Sequence, residues 1–170
     1  MGALAVVMEK GADYLVHDSL AELTLSILQK DKMRDPSLGY PRDIELHAKI
    51  LYPMAFKQGI KVVTDSGGLN PVSAANKVSE ILKAQGVSGV KIAIVTGDDM
   101  LGNLKQLKED GLLDSMDSGE AFSMENKVTH ANVYIGAQSI KDALDLGADL
   151  ILAGRVADPC LTLGILAHEY

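Results

Sequence analysis

The stretch Ile60-Lys-Val-Val-Thr-Asp-Ser-Gly-Gly-Leu-Asn-Pro71 combines the patterns of a strand, a glycine turn and a helix start. Its β-branched residues lie between Gly59 and Gly67, which predicts a short strand buried on both faces. Asn70 is a good N-cap, and Pro71 suits the first helical position because its missing N–H would have no intrahelical partner. We therefore expect a buried strand that leads through a turn into a helix.

The turn in this stretch is a candidate site for an anion. Two adjacent glycines let the backbone come close to a ligand, and the N–H groups and dipole of a helix start favour negative charge. On this interpretation a phosphate or carboxylate is bound by Ser66, Gly67, Gly68 and Asn70. The alternative is that the glycine pair only makes a tight turn.

The same unit recurs along the chain. Lys10-Gly-Ala-Asp-Tyr-Leu-Val16 and Leu146-Gly-Ala-Asp-Leu-Ile-Leu152 are nearly the same phrase, and Gly59 and Gly86 punctuate two other joins between a helix and a strand. Alternation of this kind predicts parallel strands joined by right-handed helical crossovers. We expect an α/β fold with a Rossmann-like open sheet and helices on both faces; a barrel fragment is the alternative.

Several local patterns give expectations about single helices. Ser19 and Glu22 fit a capping box, and Leu20, Leu23, Ile27 and Leu28 fit the core stripe of a helix that runs to about Asp31. Pro53 is expected to kink or split a helix that ends near Gln58. Further helices are predicted for Gly2–Lys10 and Tyr134–Leu146, and a loop or hairpin for residues 112–129.

Composition indicates a soluble globular protein. The chain has 170 residues, of which 47% are hydrophobic and 23% charged, which suits a single α/β domain over residues 1–170. A formal charge of −7 argues against binding nucleic acid or an anionic membrane. No apolar stretch is long enough to span a bilayer, and the start lacks a signal-peptide pattern, so we expect a cytoplasmic protein. With Cys160 as the single cysteine, no intrachain disulfide can form.

Polar residues follow each predicted strand. Parallel strands place their carboxyl ends on one rim, where α/β proteins bind their ligands. The residues expected at this rim are Asp18 and Glu22, Asp65–Asn70, Gly97–Asp99, and Gly154, Arg155 and Asp158.

So many carboxylates on one rim require a compensating charge. Mg²⁺ or Mn²⁺ bound by Asp98 and Asp99, with Asp65, is one answer, and Arg155 is another. Asp18 or Glu22 would then move protons. The predicted catalytic residues are therefore Asp18, Glu22, Asp98 and Arg155. The alternative is structural: Asp99, Asp158 and Asn70 cap helices, and Arg155 pairs with one of the carboxylates.

Six motifs in order resemble the N-terminal domain of the acyclic terpene utilisation (AtuA-like) family. They are Val16-His-Asp-Ser-Leu-Ala-Glu22, the Arg-Asp-Pro-Ser-Leu-Gly-Tyr run that ends at Tyr40, Gly67-Gly-Leu-Asn-Pro71, Gly97-Asp-Asp99, Ala131-Asn-Val-Tyr-Ile-Gly136 and Gly154-Arg-Val-Ala-Asp158. Two departures stand out. The family domain usually starts earlier and ends later, so the chain resembles an internal portion of it, and Asp65 and Ser66 stand where the family more often has Asn and Ala.

The resemblance implies a role in the bacterial breakdown of acyclic terpenes such as citronellol and geraniol, or of related branched acids handled as acyl-CoA thioesters. It suggests a lyase or hydratase acting on a hydroxyacyl-CoA. The turn at Gly67, Gly68 and Asn70 would take a carboxylate or phosphate, and Arg155 a carboxylate. The expected partners are a small-molecule substrate and a second copy, a C-terminal domain or a second subunit. The rival interpretation is a non-catalytic binding or scaffold subunit that docks through its acidic rim.

Overall fold

A computed structural model describes Val6, residues 8–123 and residues 128–170. Its sheet has four parallel strands in the order β1-β2-β4-β3 and does not close into a barrel. The strands are β1 Tyr14–His17, β2 Lys61–Thr64, β3 Ile92–Val95 and β4 Leu150–Ala153. The prediction of an open parallel sheet is therefore confirmed, and the barrel alternative is wrong.

Six α-helices connect or follow the strands in the described part of the chain. They are α1 Glu22–Arg34, α2 Asp43–Lys57, α3 Pro71–Ala84, α4 Leu104–Glu109, α5 Gln138–Asp145 and α6 Asp158–Glu169, with a 3₁₀ turn at Leu101–Asn103 before α4. Among the described residues, no helix is long and apolar enough to cross a bilayer. Most of the helix predicted for Gly2–Lys10 lies outside the described residues.

The helices cover both faces of the sheet. Helices α2 and α3 pack on one face around Val62 and Leu150, whereas α5 and α6 pack on the other around Val63 and Ile151. β2 and β4 are neighbours, yet the helices that follow them lie on opposite faces. In open α/β sheets ligands bind beside the carboxyl ends of the strands at such a switch point. The fold thus points to the loops after β2 and β4.

The stretch from Ile60 to Pro71 folds as its sequence predicts. The side chain of Asn70 accepts a hydrogen bond from the Ser73 backbone N–H at 3.4 Å, and Pro71 is the first residue of α3. A Cβ on Gly67 would lie 2.4 Å from the Ala153 carbonyl oxygen. Gly67 is therefore required for close contact between the loop after β2 and the end of β4.

The capping box is wrong, and so is part of the core stripe of α1. The N-cap is Ala21, which makes no side-chain cap hydrogen bond, because Ser19 is engaged by the loop after β2. Leu23 is 73% exposed and Ile27 52% exposed. A separate small cluster at the rim is formed instead by Leu20, Leu25 and Leu28 with Leu69.

Two other local expectations concern helices. Pro53 lies inside α2 and does not split it, since α2 is one helix from Asp43 to Lys57; a kink at Pro53 stays a prediction. The helix predicted from Tyr134 begins only at Gln138. The residues before it are extended, with a bridge from Asp99 to Asn132 and another from Ile135 to Val156. We call residues 131–135 the strap, because they run along the carboxyl ends of β3 and β4.

Candidate functional site

A pair of carboxyl groups, Asp18 and Asp65, lies at the ends of β1 and β2. Asp65 is 1% exposed, and its Oδ1 accepts the backbone N–H of Ser19 at 2.7 Å. Its Oδ2 is buried and has no hydrogen-bond partner among the described residues. Burial, followed by a hydrogen bond to Asp18, raises the pKa of Asp65 to about 7. A carboxyl group with a raised pKa keeps its proton to a higher pH than an ordinary aspartate does.

Arg155 lies under the ring of Tyr134 and is 4% exposed. Its Nη1 contacts Asp158 Oδ1 at 2.9 Å, and its Nη2 lies 3.6 Å from Glu22 Oε1. The Tyr134 hydroxyl donates to Glu22, and this bond is the main reason that the pKa of Glu22 is lowered. Arg155, Glu22 and Tyr134 thus join the start of α1 to the strap and to the loop after β4.

Asp98 accepts hydrogen bonds from two neighbouring segments. Its Oδ2 accepts the Asn132 side-chain amide at 2.8 Å and the Arg155 backbone N–H at 3.0 Å. A Cβ on Gly154 would lie 2.3 Å from Asp98 Oδ1, so the carboxylate fits only against a glycine. Asp98 is 5% exposed, and its buried carboxylate connects the strap to the end of β4 through these hydrogen bonds.

Asp99 is exposed, and its Oδ1 accepts the backbone N–H of Leu101 at 3.0 Å. Across the described ranges, no group of three or more His, Cys, Asp or Glu side chains is placed to hold a metal ion. One oxygen of Asp98, Oδ2, already accepts two N–H donors, so this oxygen is not free to bind a divalent cation. Mg²⁺ or Mn²⁺ at Asp98 and Asp99 stays a prediction without a supporting ligand cluster.

The polar groups of the predicted anion-binding turn form hydrogen bonds within the protein. The N–H of Gly68 donates to Asp65 O at 3.0 Å, and that of Asn70 donates to Gly67 O at 3.1 Å. The side-chain amide of Asn70 donates to the carbonyl oxygens of Pro36 and Leu38 at 2.9 and 2.8 Å. This arrangement favours the tight-turn alternative, and anion binding at Ser66, Gly67, Gly68 and Asn70 stays a prediction.

Two adjoining clefts open on the rim. One, of 250 Å³, is lined by Gln29, Lys32, Met33, Leu69, Asp99, Leu101, Thr129, His130 and Asn132. The other, of 170 Å³, is lined by Glu22, Leu25, His130, Ala131, Asn132 and Tyr134. They share His130 and Asn132. Their walls mix apolar side chains with a few polar groups, which is typical of small-molecule sites.

A larger cavity than either cleft lies elsewhere. It measures 440 Å³ at the amino ends of the strands and is lined by residues such as Lys57, Ile60, Val87 and Asp149. Asp149 is used there to accept the Lys91 backbone N–H at 2.8 Å. Because parallel α/β proteins bind ligands at the carboxyl ends, we assign the functional site to the rim.

Sequence reasoning anticipated the rim but missed some of its residues. Asp18, Glu22, Asp65, Asp98 and Arg155 all lie there through the contacts above. Asn132 and Tyr134 had a signal, since both belong to the motif Ala131–Gly136. The sequence predicts no element for Asn132, however, and the helix predicted from Tyr134 is wrong at its start. Thr64 had a weaker signal, because it is a polar residue at the end of a buried strand.

The fold and the rim together define an open parallel α/β domain whose acidic and hydroxyl groups gather at the carboxyl edge of the sheet. The family model described as "Acyclic terpene utilisation family protein AtuA" matches residues 1–170. The chain therefore belongs to the acyclic terpene utilisation family. No curated protein and no solved structure matches it.

Proposed function

We propose that the chain acts in the catabolism of acyclic terpenes or related branched acids, as a lyase or hydratase on their hydroxyacyl-CoA thioesters. The observation that carries this proposal is the carboxyl pair Asp18 and Asp65. A general acid is most effective when its pKa lies near the working pH, and burial raises the pKa of Asp65 to about 7. Two carboxyl groups in different environments divide the acid and base roles.

The proposed reaction balances without a redox partner. In the dehydration direction, the exposed carboxylate of Asp18 removes a proton from the carbon next to the thioester carbonyl. The proton on Asp65 goes to the leaving hydroxyl group, the carbon–oxygen bond breaks, a carbon–carbon double bond forms, and water departs. Hydration is the reverse. Each step uses one carboxyl group of the pair.

The clefts support a branched, mostly apolar substrate. Met33, Leu69 and Leu101 line the larger cleft and would contact a hydrocarbon chain. Lys32 and His130 on the same walls would contact the polar end. Arg155 is already engaged by Asp158 and Glu22, so its role in this proposal is to hold the cleft wall.

The test is proton exchange at the reacting carbon. The chain is incubated in deuterium oxide with the CoA thioester of geranic acid and, separately, with its 3-hydroxy derivative, and mass spectrometry follows deuterium uptake and loss of water. We expect turnover by the wild type and a loss of roughly 100-fold or more in Asp18→Asn and Asp65→Asn, as general acid–base catalysis contributes about 100- to 10,000-fold.

Asp13→Asn is the matched control, because Asp13 is an exposed aspartate at the opposite end of β1. It should keep wild-type turnover. Full activity in Asp18→Asn and Asp65→Asn would overturn the proposed roles. If neither thioester reacts with the wild type, the proposed reaction is wrong.

The exposed apolar side chains of α1 support the rival function of a binding or scaffold subunit. Leu23 and Met33, 73% and 62% exposed, lie on one helix at the rim with Ile27. Such residues would contact a second copy, a C-terminal domain or a second subunit. Light scattering of Leu23→Lys against the wild type tests this: a lower mass for the variant supports association through α1, and equal masses at all concentrations exclude self-association there.

A further inference from the structure

A chain of five hydrogen-bonded groups runs from the core to the rim. The Tyr52 hydroxyl lies 3.0 Å from His17 Nε2, and His17 Nδ1 lies 3.0 Å from Thr64 Oγ1. Thr64 Oγ1 is 2.9 Å from Ser66 Oγ, which is 2.8 Å from Ser19 Oγ. Tyr52, Thr64 and Ser66 are buried, so these groups have to satisfy one another rather than water.

The donor and acceptor roles in this series of hydrogen bonds follow from the contacts of Thr64. Its Oγ1 accepts the backbone N–H of Ser66 at 3.0 Å and donates its single proton to Ser66 Oγ. It has no second proton for His17, so Nδ1 of the imidazole has to be the donor. Nε2 then accepts from the Tyr52 hydroxyl. One neutral tautomer of His17 therefore satisfies every contact in the chain.

Burial, with a smaller contribution from His47, lowers the pKa of His17 to about 4, so the imidazole is neutral at pH 7. His47 packs edge-on against it with ring centroids 4.8 Å apart. A neutral ring with one proton is the form that the direction of the chain requires. The packed aromatic groups hold this ring in place.

The series of hydrogen bonds ends at the hydroxyl of Ser19, whose own proton is not used by the described residues. Ser19 Oγ accepts from Ser66, and within the described part of the chain its own proton has no acceptor. Ser19 is only partly buried, and its backbone N–H donates to Asp65. The unused donor thus lies next to the carboxyl pair, at the rim where the substrate is expected.

We propose that Ser19 donates a hydrogen bond to an oxygen of the bound substrate, and that His17, Thr64 and Ser66 are positioning residues that fix its direction. The ligand group is an acceptor, either a thioester carbonyl or a hydroxyl oxygen. This inference rests on the proposed function for the identity of the substrate. The direction of the hydrogen bonds does not depend on it.

The first test needs no substrate. In protein labelled with ¹⁵N-histidine, long-range proton–nitrogen spectra at pH 7 report which ring nitrogen of His17 carries the proton. We expect the Nδ1–H form in the wild type and in Thr64→Ser, and a shift away from it in Thr64→Val, where the acceptor is lost. A wild-type Nε2–H form would reverse the chain and overturn the inference.

The second test measures turnover of the geranic acid thioesters. Removing one preorganised donor to a reacting oxygen costs about 100- to 1,000-fold in kcat, so we expect a loss of roughly 100-fold in Ser19→Ala. Thr64→Val should lower kcat by about 10-fold with a small change in KM, and Thr64→Ser should restore it. Thr162→Val, at an exposed position on α6, is the control for loss of a hydroxyl.

The two proposals fail in different ways. A wild-type Nδ1–H signal with no turnover of either thioester leaves the hydrogen-bond chain standing and rejects the proposed reaction. Turnover that depends on Asp65 but is unchanged in Ser19→Ala rejects the role of Ser19 alone. Thermal unfolding of each variant separates these outcomes from a loss of folded protein.

Discussion

Two acidic pairs lie on the same rim, and they differ in how the fold brings them together. Asp18 and Asp65 directly follow neighbouring strands; the contact from Ser19 to Asp65 joins positions 46 residues apart. Asp98 and Asp99 are adjacent in the sequence, yet one is buried and the other exposed. Successive residues of an extended chain point to opposite sides. Strand register therefore brings Asp18 and Asp65 together, whereas Asp98 and Asp99 point apart although they are adjacent in sequence.

The largest effect that would sharpen this comparison is expected from Asp65→Asn. The carboxyl has a pKa of 3.8 in its ordinary state and about 7 in the folded protein. Between these values the folded state keeps a proton that the unfolded chain has lost, so its contribution to stability falls as pH rises through this window. Each pH unit in this window changes the free energy of unfolding by about 1.4 kcal/mol. Over roughly three pH units, Asp65→Asn should therefore become more stable by up to about 4 kcal/mol relative to the wild type.

Urea unfolding between pH 4 and pH 8 measures this gain. His17 acts in the opposite sense, because its folded pKa of about 4 lies below its ordinary value of 6.5. Its contribution to stability is complete above the ordinary value and is lost as pH falls toward 4. The wild type should therefore change little with pH in this window, whereas Asp65→Asn should become more stable as pH rises. Equal pH profiles for the two proteins would contradict the raised pKa of Asp65.

The second expected effect concerns the other pair. Asp98→Ala leaves the buried N–H groups of Asn132 and Arg155 without an acceptor, which should lower the free energy of unfolding by about 3 kcal/mol. Asp99→Ala is the matched control and should cost about 1 kcal/mol or less, since it removes one exposed hydrogen bond to the Leu101 backbone. Similar losses for both variants in urea unfolding would show that the pair is not divided as described.

Particular elements show which features of the fold and the rim could be predicted from the sequence. The repeated Gly-Ala-Asp phrase correctly placed β1 and β4, because Gly11 and Gly147 have φ values of +96° and +80°, where a side chain would be strained. The pattern around Leu23 and Ile27 failed because it gives a helical period but not the face that meets a core. The raised pKa of Asp65 depends on burial and on the strand register that brings Asp18 beside it, which no local pattern contains.

The smallest effect is expected at the junction of α1 and the strap. Tyr134→Phe keeps the ring over Arg155 but removes the hydroxyl that donates to Glu22. Because that bond is the largest cause of the lowered pKa of Glu22, the pKa should move back toward its ordinary value. A carbon-13 titration of the Glu22 carboxyl measures the change. An unaltered titration would show that the Tyr134 hydroxyl does not lower the pKa of Glu22.

The leucine cluster under α1 has a consequence for substrate entry. Leu20, Leu25, Leu28 and Leu69 form a cluster of their own, apart from the cores on the two faces of the sheet. Parts of a protein with few buried apolar contacts open at a lower free energy than the whole molecule. We therefore expect helix α1 to open locally at a lower free energy than the sheet. Such an opening would give the proposed hydrocarbon substrate a route to the carboxyl pair.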